Sequence, residues 1–323
     1  MNEKMAYRKI PHVNKPVSRI VFGTGIKSMW NNEDKFELLD AVYAAGINTF
    51  DTAAVYGDAE ASFGRWLKTR NLRKEVVILT KGANPNQYRN RVTEYDIMSD
   101  IEDSFVKLQT DYIDIYLLHR DDPSVPVESI VELLNKLHEQ GCIGAFGGSN
   151  WTLERMIAAN DYAEKHGLIP FSINSPSYGL MEFLNDPWGG SVTISGSDNA
   201  NFRSWLREKN ISVFAYSSLG RGFLSGRLKS TDTDPEKARS IVGAAYDEYG
   251  FTVNYEKLAR VESLAKEKGV TVPQIGFAWL MQQELDVFGV TSPGTPSHIA
   301  ETVDALNLVL SDRELKWLNK EID

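Results

Sequence analysis

The feature that most constrains this chain is an alternation of short apolar runs with amphipathic helical stretches, repeated eight times across its 323 residues. Strands are expected at 18–22, 44–50, 75–79, 113–118, 143–147, 169–173, 211–216 and 287–290. Short apolar runs closed by glycine or polar residues read as buried parallel strands. Between them, 32–45, 59–69, 95–108, 128–140, 153–165, 202–209, 255–268 with 273–283, and 298–306 carry apolar residues at helical spacing. A last helix is expected over 312–322. Eight strand–helix units in one chain argue for an α/β fold of the (β/α)8 TIM-barrel class rather than an open sheet. Residues 5–18, around His12-Val13-Asn14-Lys15, read as an N-terminal β-hairpin ahead of the barrel. No Pro-, Gly- or Ser-rich linker divides the chain, so one domain over 1–323 is expected. Two stretches, 175–201 and 219–250, exceed ordinary loop lengths and are expected to overhang the active face.

Composition narrows the class of function. Hydrophobic residues make up 42% and charged residues 24%, as in soluble globular proteins. A net charge of −9 disfavours a nucleic-acid partner. Cys142 is the single cysteine, which excludes an internal disulfide and fits a reducing compartment. No apolar run approaches the length that spans a bilayer, and residues 1–9 lack the apolar centre of a signal peptide. A cytoplasmic protein with no membrane partner is expected. Its oligomeric state is not legible.

Reactive groups gather where barrel strands end. Asp51 closes strand two, with Tyr56 in the loop beyond; Lys81 follows strand three and His119 follows strand four. In a barrel these positions converge on one mouth. Each alone has an ordinary explanation: Asp as a helix cap, Lys as a solvated end, His as a structural hydrogen-bond partner, Tyr as a half-buried ring. Together they suit carbonyl chemistry. A tyrosine hydroxyl is a weak acid at neutral pH, and a nearby ammonium is expected to lower its pKa. A buried lysine needs a counter-charge, which Asp51 can supply. A histidine beside the tyrosine can orient a carbonyl or help move a proton. The chain carries no redox group of its own, so hydride must come from a cofactor. No metal is called for.

These residues occur within motifs that resemble the aldo-keto reductase family from about Val17 to Leu310. The motifs are Phe22-Gly23-Thr24, Phe50-Asp51-Thr52-Ala53 with Tyr56-Gly57, Thr80-Lys81, Asp111 through His119, Gly148-Ser149-Asn150, Ala215-Tyr216-Ser217-Ser218-Leu219, and Ser292-Pro293-Gly294-Thr295. The resemblance implies an NAD(P)H-dependent barrel that reduces a small carbonyl compound, or oxidises the matching alcohol or sugar. It implies Tyr56 as general acid, Lys81 and Asp51 as its tuning pair, and His119 as the orienting group.

For the cofactor, the resemblance implies contacts from Gly23, Thr24 and Asp51 and a carboxamide clasp by Ser149 and Asn150. Ser175 stands where relatives carry a glutamine. Tyr216 matches the residue that stacks on the nicotinamide. Ser217, Leu219, Arg221 and Gly222 match the pyrophosphate loop. Gly294, Thr295, Ser297, His298, Glu301 and Thr302 match the ribose, 2′-phosphate and adenine end. His298 replaces an arginine that pairs with the 2′-phosphate. NADP(H) is therefore the expected cofactor with a weakened preference, so that NAD(H) is admitted too.

Trp30, Trp151 and Trp188 are candidates for lining the substrate mouth with Tyr56 and His119. Arg120 and Asp121 either bind polar substrate groups or pair with each other. Two other readings stay open: a cofactor-binding regulatory subunit without turnover, and a barrel lyase using Lys81 as a Schiff base.

Overall fold

A computed structural model of the chain describes residues 5–186 and 188–323. After β1 (Tyr7–Arg8) and β2 (Val17–Ser18), the barrel strands are β3 (Ile20–Gly23), β4 (Thr49–Asp51), β5 (Val77–Gly82), β6 (Ile113–Leu118), β7 (Ile143–Ser149), β8 (Ile173–Ser175), β9 (Ser212–Ala215) and β10 (Val287–Thr291). β3 to β10 pair in parallel in chain order, and β10 pairs with β3, closing an eight-stranded barrel. Helices follow each strand, as the alternation predicts.

The strand period of two divides the side chains into an inner and an outer set. Val21, Val77, Leu79, Ile115, Leu117, Ala145, Ile173, Phe214 and Phe288 form one cluster inside the barrel. Phe214 and Phe288 stack there with ring centroids 4.7 Å apart. Their outward-facing neighbours, such as Phe22, Phe50 and Ile78, join clusters under the helices.

The expected hairpin is present, with β1 antiparallel to β2. Ile10 and Val13 at its turn pack into the inner barrel cluster and plug that end. The buried Asp114 carboxylate on β6 ties the plug down. It receives Lys15 Nζ at 2.7 Å and Arg73 Nη1 at 2.9 Å. The far end is left open for the site.

Several boundaries differ from expectation: β5 runs from Val77 to Gly82 and so contains Lys81, β7 runs on to Ser149, and the last helix ends at Leu318. Three further differences have a plain physical reason. Over 32–45 the helix begins only at Phe36 (Phe36–Ala44); a separate short helix, Lys27–Trp30, precedes it, with a turn at Asn32 between them. Residues 44–48 belong to the helix end and its turn at Gly46, so β4 begins only at Thr49. The sixth barrel strand is Ile173–Ser175 rather than 169–173. Pro170 cannot donate to a ladder. The N–H groups of Ile169 and Phe171 instead bond the side-chain oxygens of Asn135 and Asn160, at 2.8 and 2.9 Å.

The stretch 219–250 is not a plain loop. It contains Pro235–Val242, capped by Asp234 with Pro235 in its first turn, and Ala245–Tyr249. Within 175–201, Ser177 bridges to both Thr193 and Tyr216. Among the described residues, no helix is long and apolar enough to cross a membrane.

Candidate active site

β4, β5 and β6 are neighbours in the barrel, so their carboxyl ends bring Asp51, Lys81 and His119 together. Lys81 Nζ lies 2.7 Å from one Asp51 oxygen and donates to the other at 2.8 Å. It also donates to the carbonyl of Thr52 at 2.9 Å. Both side chains are almost fully buried. Tyr56 reaches over this pair, with Lys81 Nζ 5.3 Å from its ring centroid. His119 meets the Tyr56 ring edge-on at 5.8 Å between centroids. The four groups border one cavity of about 940 Å³.

Local structure holds Tyr56 in place. Trp30 stacks on its ring at 5.5 Å, and Gly25 sits beside the ring, where an added Cβ would come within 3.3 Å of it. Gly57 turns the chain at φ +55°, and an added Cβ would come within 2.7 Å of the Trp30 carbonyl oxygen. That carbonyl accepts the N–H of Asp58 at the helix start.

Burial sets the electrostatics. It holds the Asp51 carboxyl above its ordinary value, and the pull of Lys81 offsets only part of the rise. Burial works against the Lys81 charge, but Asp51 and Tyr56 together hold its pKa above the ordinary value. The expected lowering of the Tyr56 pKa is corrected here. Burial raises it, Asp51 adds to the rise, and the pull of Lys81 and Arg120 does not win. Tyr56 is thus a protonated phenol at neutral pH. His119 is pushed well below 6.5 by burial, then by Lys81 and Arg120, and stays neutral. Its Nδ1 is buried without a hydrogen-bond partner.

Most of the other candidates border the same cavity. Gly23, Ser149, Asn150, Tyr216, Ser217, Leu219, Arg221 and Gly222 line it, as do Trp30 and Trp188. Ser149 Oγ donates to the Ser175 carbonyl, and Asn150 Oδ1 accepts from Tyr216 Oη at 2.7 Å. Arg221 is engaged by the buried carboxylate of Glu248 and lies 4.6 Å over the Trp188 ring. His298 and Glu301 line a second cleft with Arg227, Lys229 and Lys266, and the two clefts share Ser225. Thr295 caps the helix Pro296–Asp304 by accepting the His298 N–H and also bonds Ser297; Thr302 bonds the His298 carbonyl. Gly294 precedes that cap.

Gly294, Thr295, Ser297 and Thr302 line neither cleft, and three further candidates also stand apart from the lining. Trp151 is fully buried on Gly148 and packs against Phe171. Ser175 turns its hydroxyl to the Phe214 carbonyl at 2.9 Å. Thr24 is buried, and its hydroxyl has no partner. Arg227, Lys229 and Lys266 escaped the sequence reading. They sit in a long loop and on a helix end without a motif, so only their shared cleft reveals them.

The paired clefts fit an elongated, phosphate-bearing ligand. At Gly222 an added Cβ would meet only the Arg227 guanidinium, at 3.7 Å, so the backbone there is open to a ligand. Gly294 is equally open.

Residues 19–322 match the aldo/keto reductase family. The chain belongs to that family. It is similar to "Aldo-keto reductase YhdN" of Bacillus subtilis, 29% identical across 92% of this chain and 88% of that protein. It is similar to "Aldo-keto reductase yakc [NADP(+)]" of Schizosaccharomyces pombe, 29% identical across 96% and 90%. A "Probable aryl-alcohol dehydrogenase AAD4" of Saccharomyces cerevisiae is 28% identical across 90% and 88%. As an aldo/keto reductase the chain is an oxidoreductase, of a family that uses NAD(P)H and acts on small carbonyl compounds.

Proposed function

We propose that this aldo/keto reductase reduces aromatic aldehydes, or oxidises the matching alcohols, with Tyr56 as the general acid. The observation that carries this reading is the buried Lys81–Asp51 pair set beneath a protonated Tyr56, with neutral His119 beside it. A bound nicotinamide cofactor supplies the hydride. Ser149, Asn150 and Tyr216 would hold its nicotinamide end, and the Ser217–Gly222 loop with Arg221 its phosphates. Gly294, Thr295, Ser297, His298, Glu301 and Thr302 would hold the far end, with Thr24 and Ser175 buttressing from behind.

The protein's own residues handle the proton. Tyr56 Oη gives its proton to the carbonyl oxygen as negative charge develops there. Lys81 stabilises the phenolate left behind, and Asp51 keeps Lys81 charged and fixed. General acid catalysis of this kind contributes roughly 10²–10⁴ in rate. His119, being neutral, can donate a hydrogen bond to the same oxygen without bringing a competing charge. Trp30 and Trp188 offer flat apolar walls to a ring substrate, which agrees with the aryl-alcohol dehydrogenase name of the yeast relative.

The test is to follow reduced-nicotinamide absorbance with benzaldehydes, offering NADPH and NADH side by side. Aldehyde-dependent consumption supports the reading. Tight cofactor binding with no turnover of any aldehyde or alcohol overturns it.

A further inference from the structure

Four charged side chains line the tetrad cavity: Asp51, Lys81, Arg120 and Arg221. Three have their counter-charge. Lys81 and Asp51 hold each other, and Arg221 is held by Glu248. Arg120 makes no ion pair among the described residues, and its Nη1 is buried without a hydrogen-bond partner. The obvious partner, the adjacent Asp121, is taken. Arg155 grips it through Nε at 2.6 Å and Nη2 at 2.9 Å, and fastens itself further to the carbonyls of Asp122 and Val125. Asp186 acts on Arg120 through space from the long loop, but the two form no ion pair, and the Asp186 oxygens accept the N–H groups of Trp188 and Ser191.

An unpaired guanidinium in a partly dry cavity is costly, and its planar fork matches an oxyanion. Arg120 follows His119 directly, and its charge reaches Tyr56 and His119 on one side of the cavity and Tyr216 on the other. We infer that Arg120 is a specificity residue for carbonyl substrates that carry an anionic group, a carboxylate or a phosphate, away from the reacting carbon. The inference rests on the reductase reading. The anion would supply the direct ion-pair partner that the fold withholds, and would orient the carbonyl toward Tyr56. Trp30 and Trp188 would flank the body of the substrate between the two polar ends.

The experiment compares matched substrates with the full enzyme. One pair is 4-carboxybenzaldehyde and its methyl ester; the other is glyceraldehyde 3-phosphate and glyceraldehyde. The expected result is higher kcat/KM for the anionic member of at least one pair, carried by KM. In Arg120→Gln that anionic-over-neutral ratio falls at least tenfold, and Arg120→Lys restores part of it. A second readout needs no turnover: the dissociation constant of benzoate, read from tryptophan fluorescence with NADP+ present. It should rise at least tenfold in Arg120→Gln.

No anionic preference in either pair, or a ratio unchanged in Arg120→Gln, overturns the inference. A proportionate fall for charged and neutral members alike also overturns it, since Arg120 would then act only through Tyr56. If no aldehyde is reduced while benzoate still binds in an Arg120-dependent way, the reductase reading fails and the anion site stands.

Discussion

The ammonium of Lys81 sits 2.7 Å from the Asp51 carboxylate, with both side chains nearly sealed from solvent. Removing one charge of a buried pair strands the other, at a cost of about 3–5 kcal/mol. Asp51→Asn should therefore lower the urea midpoint clearly. The double variant Asp51→Asn/Lys81→Met should recover much of that loss, because neither charge is then left unpaired. Additive losses in the double variant would show that the two groups are not coupled as described.

Gly57 is tied to Tyr56 by backbone geometry. With φ at +55° and the Trp30 carbonyl 2.7 Å from any added Cβ, Gly57→Ala must shift the loop. We expect kcat to fall at least ~10-fold, because small misplacements of a catalytic group are costly. Stability should fall by at least about 1–2 kcal/mol, the penalty for alanine in the left-handed region, with the cost of relieving the Trp30 contact added to it. The check is kcat and thermal unfolding side by side, and an unchanged kcat would contradict the positioning role.

The pH dependence follows from the two directions of shift. His119 stays neutral because burial, Lys81 and Arg120 push its pKa well below 6.5. Reduction should show no titration from it between about pH 6 and 8, the range an unperturbed histidine would mark. Tyr56 is pushed above 10.0, chiefly by burial. Reduction uses its protonated form, so the rate should fall only as pH rises through that value. Alcohol oxidation uses the phenolate and should rise over the same range. Lys81 opposes the upward shift, so Lys81→Met should move both limbs to higher pH and lower the rates. The profile of kcat/KM against pH in each direction is the measurement.

Cofactor preference tests the far end of the groove. His298 offers no permanent charge, and the cations around it are Arg227, Lys229 and Lys266. A KM ratio of NADH to NADPH below about a hundredfold, or roughly 2.7 kcal/mol, is expected. His298→Arg should widen it. A wild-type ratio above that bound would show that the other cations replace the missing arginine.

Much of this was legible in the sequence because barrel strands are buried on both faces and end abruptly in polar residues. That pattern located Asp51, Lys81 and His119 at strand ends. It misled where polar residues are buried in a strand, as at Asn174 and Ser175 of β8, and where an apolar segment such as 169–171 is held by side-chain amides instead of a ladder. The helix Pro235–Val242 carried a readable signal, Asp234 before Pro235, which is a common helix start. The fate of Arg120 was not legible. Asp121 and Arg155 are 34 residues apart, and only the fold shows that they take each other and leave Arg120 alone.

The most direct test of the whole account is Tyr56→Phe. It removes one hydroxyl and keeps the ring that stacks on Trp30. Aldehyde reduction by wild type and variant should be followed through NADPH absorbance, with cofactor affinity measured separately by fluorescence. The account predicts a loss of kcat of roughly 10²-fold or more, in the range for removing a general acid, with cofactor affinity retained. A variant that reduces aldehydes within a few-fold of wild type would contradict it.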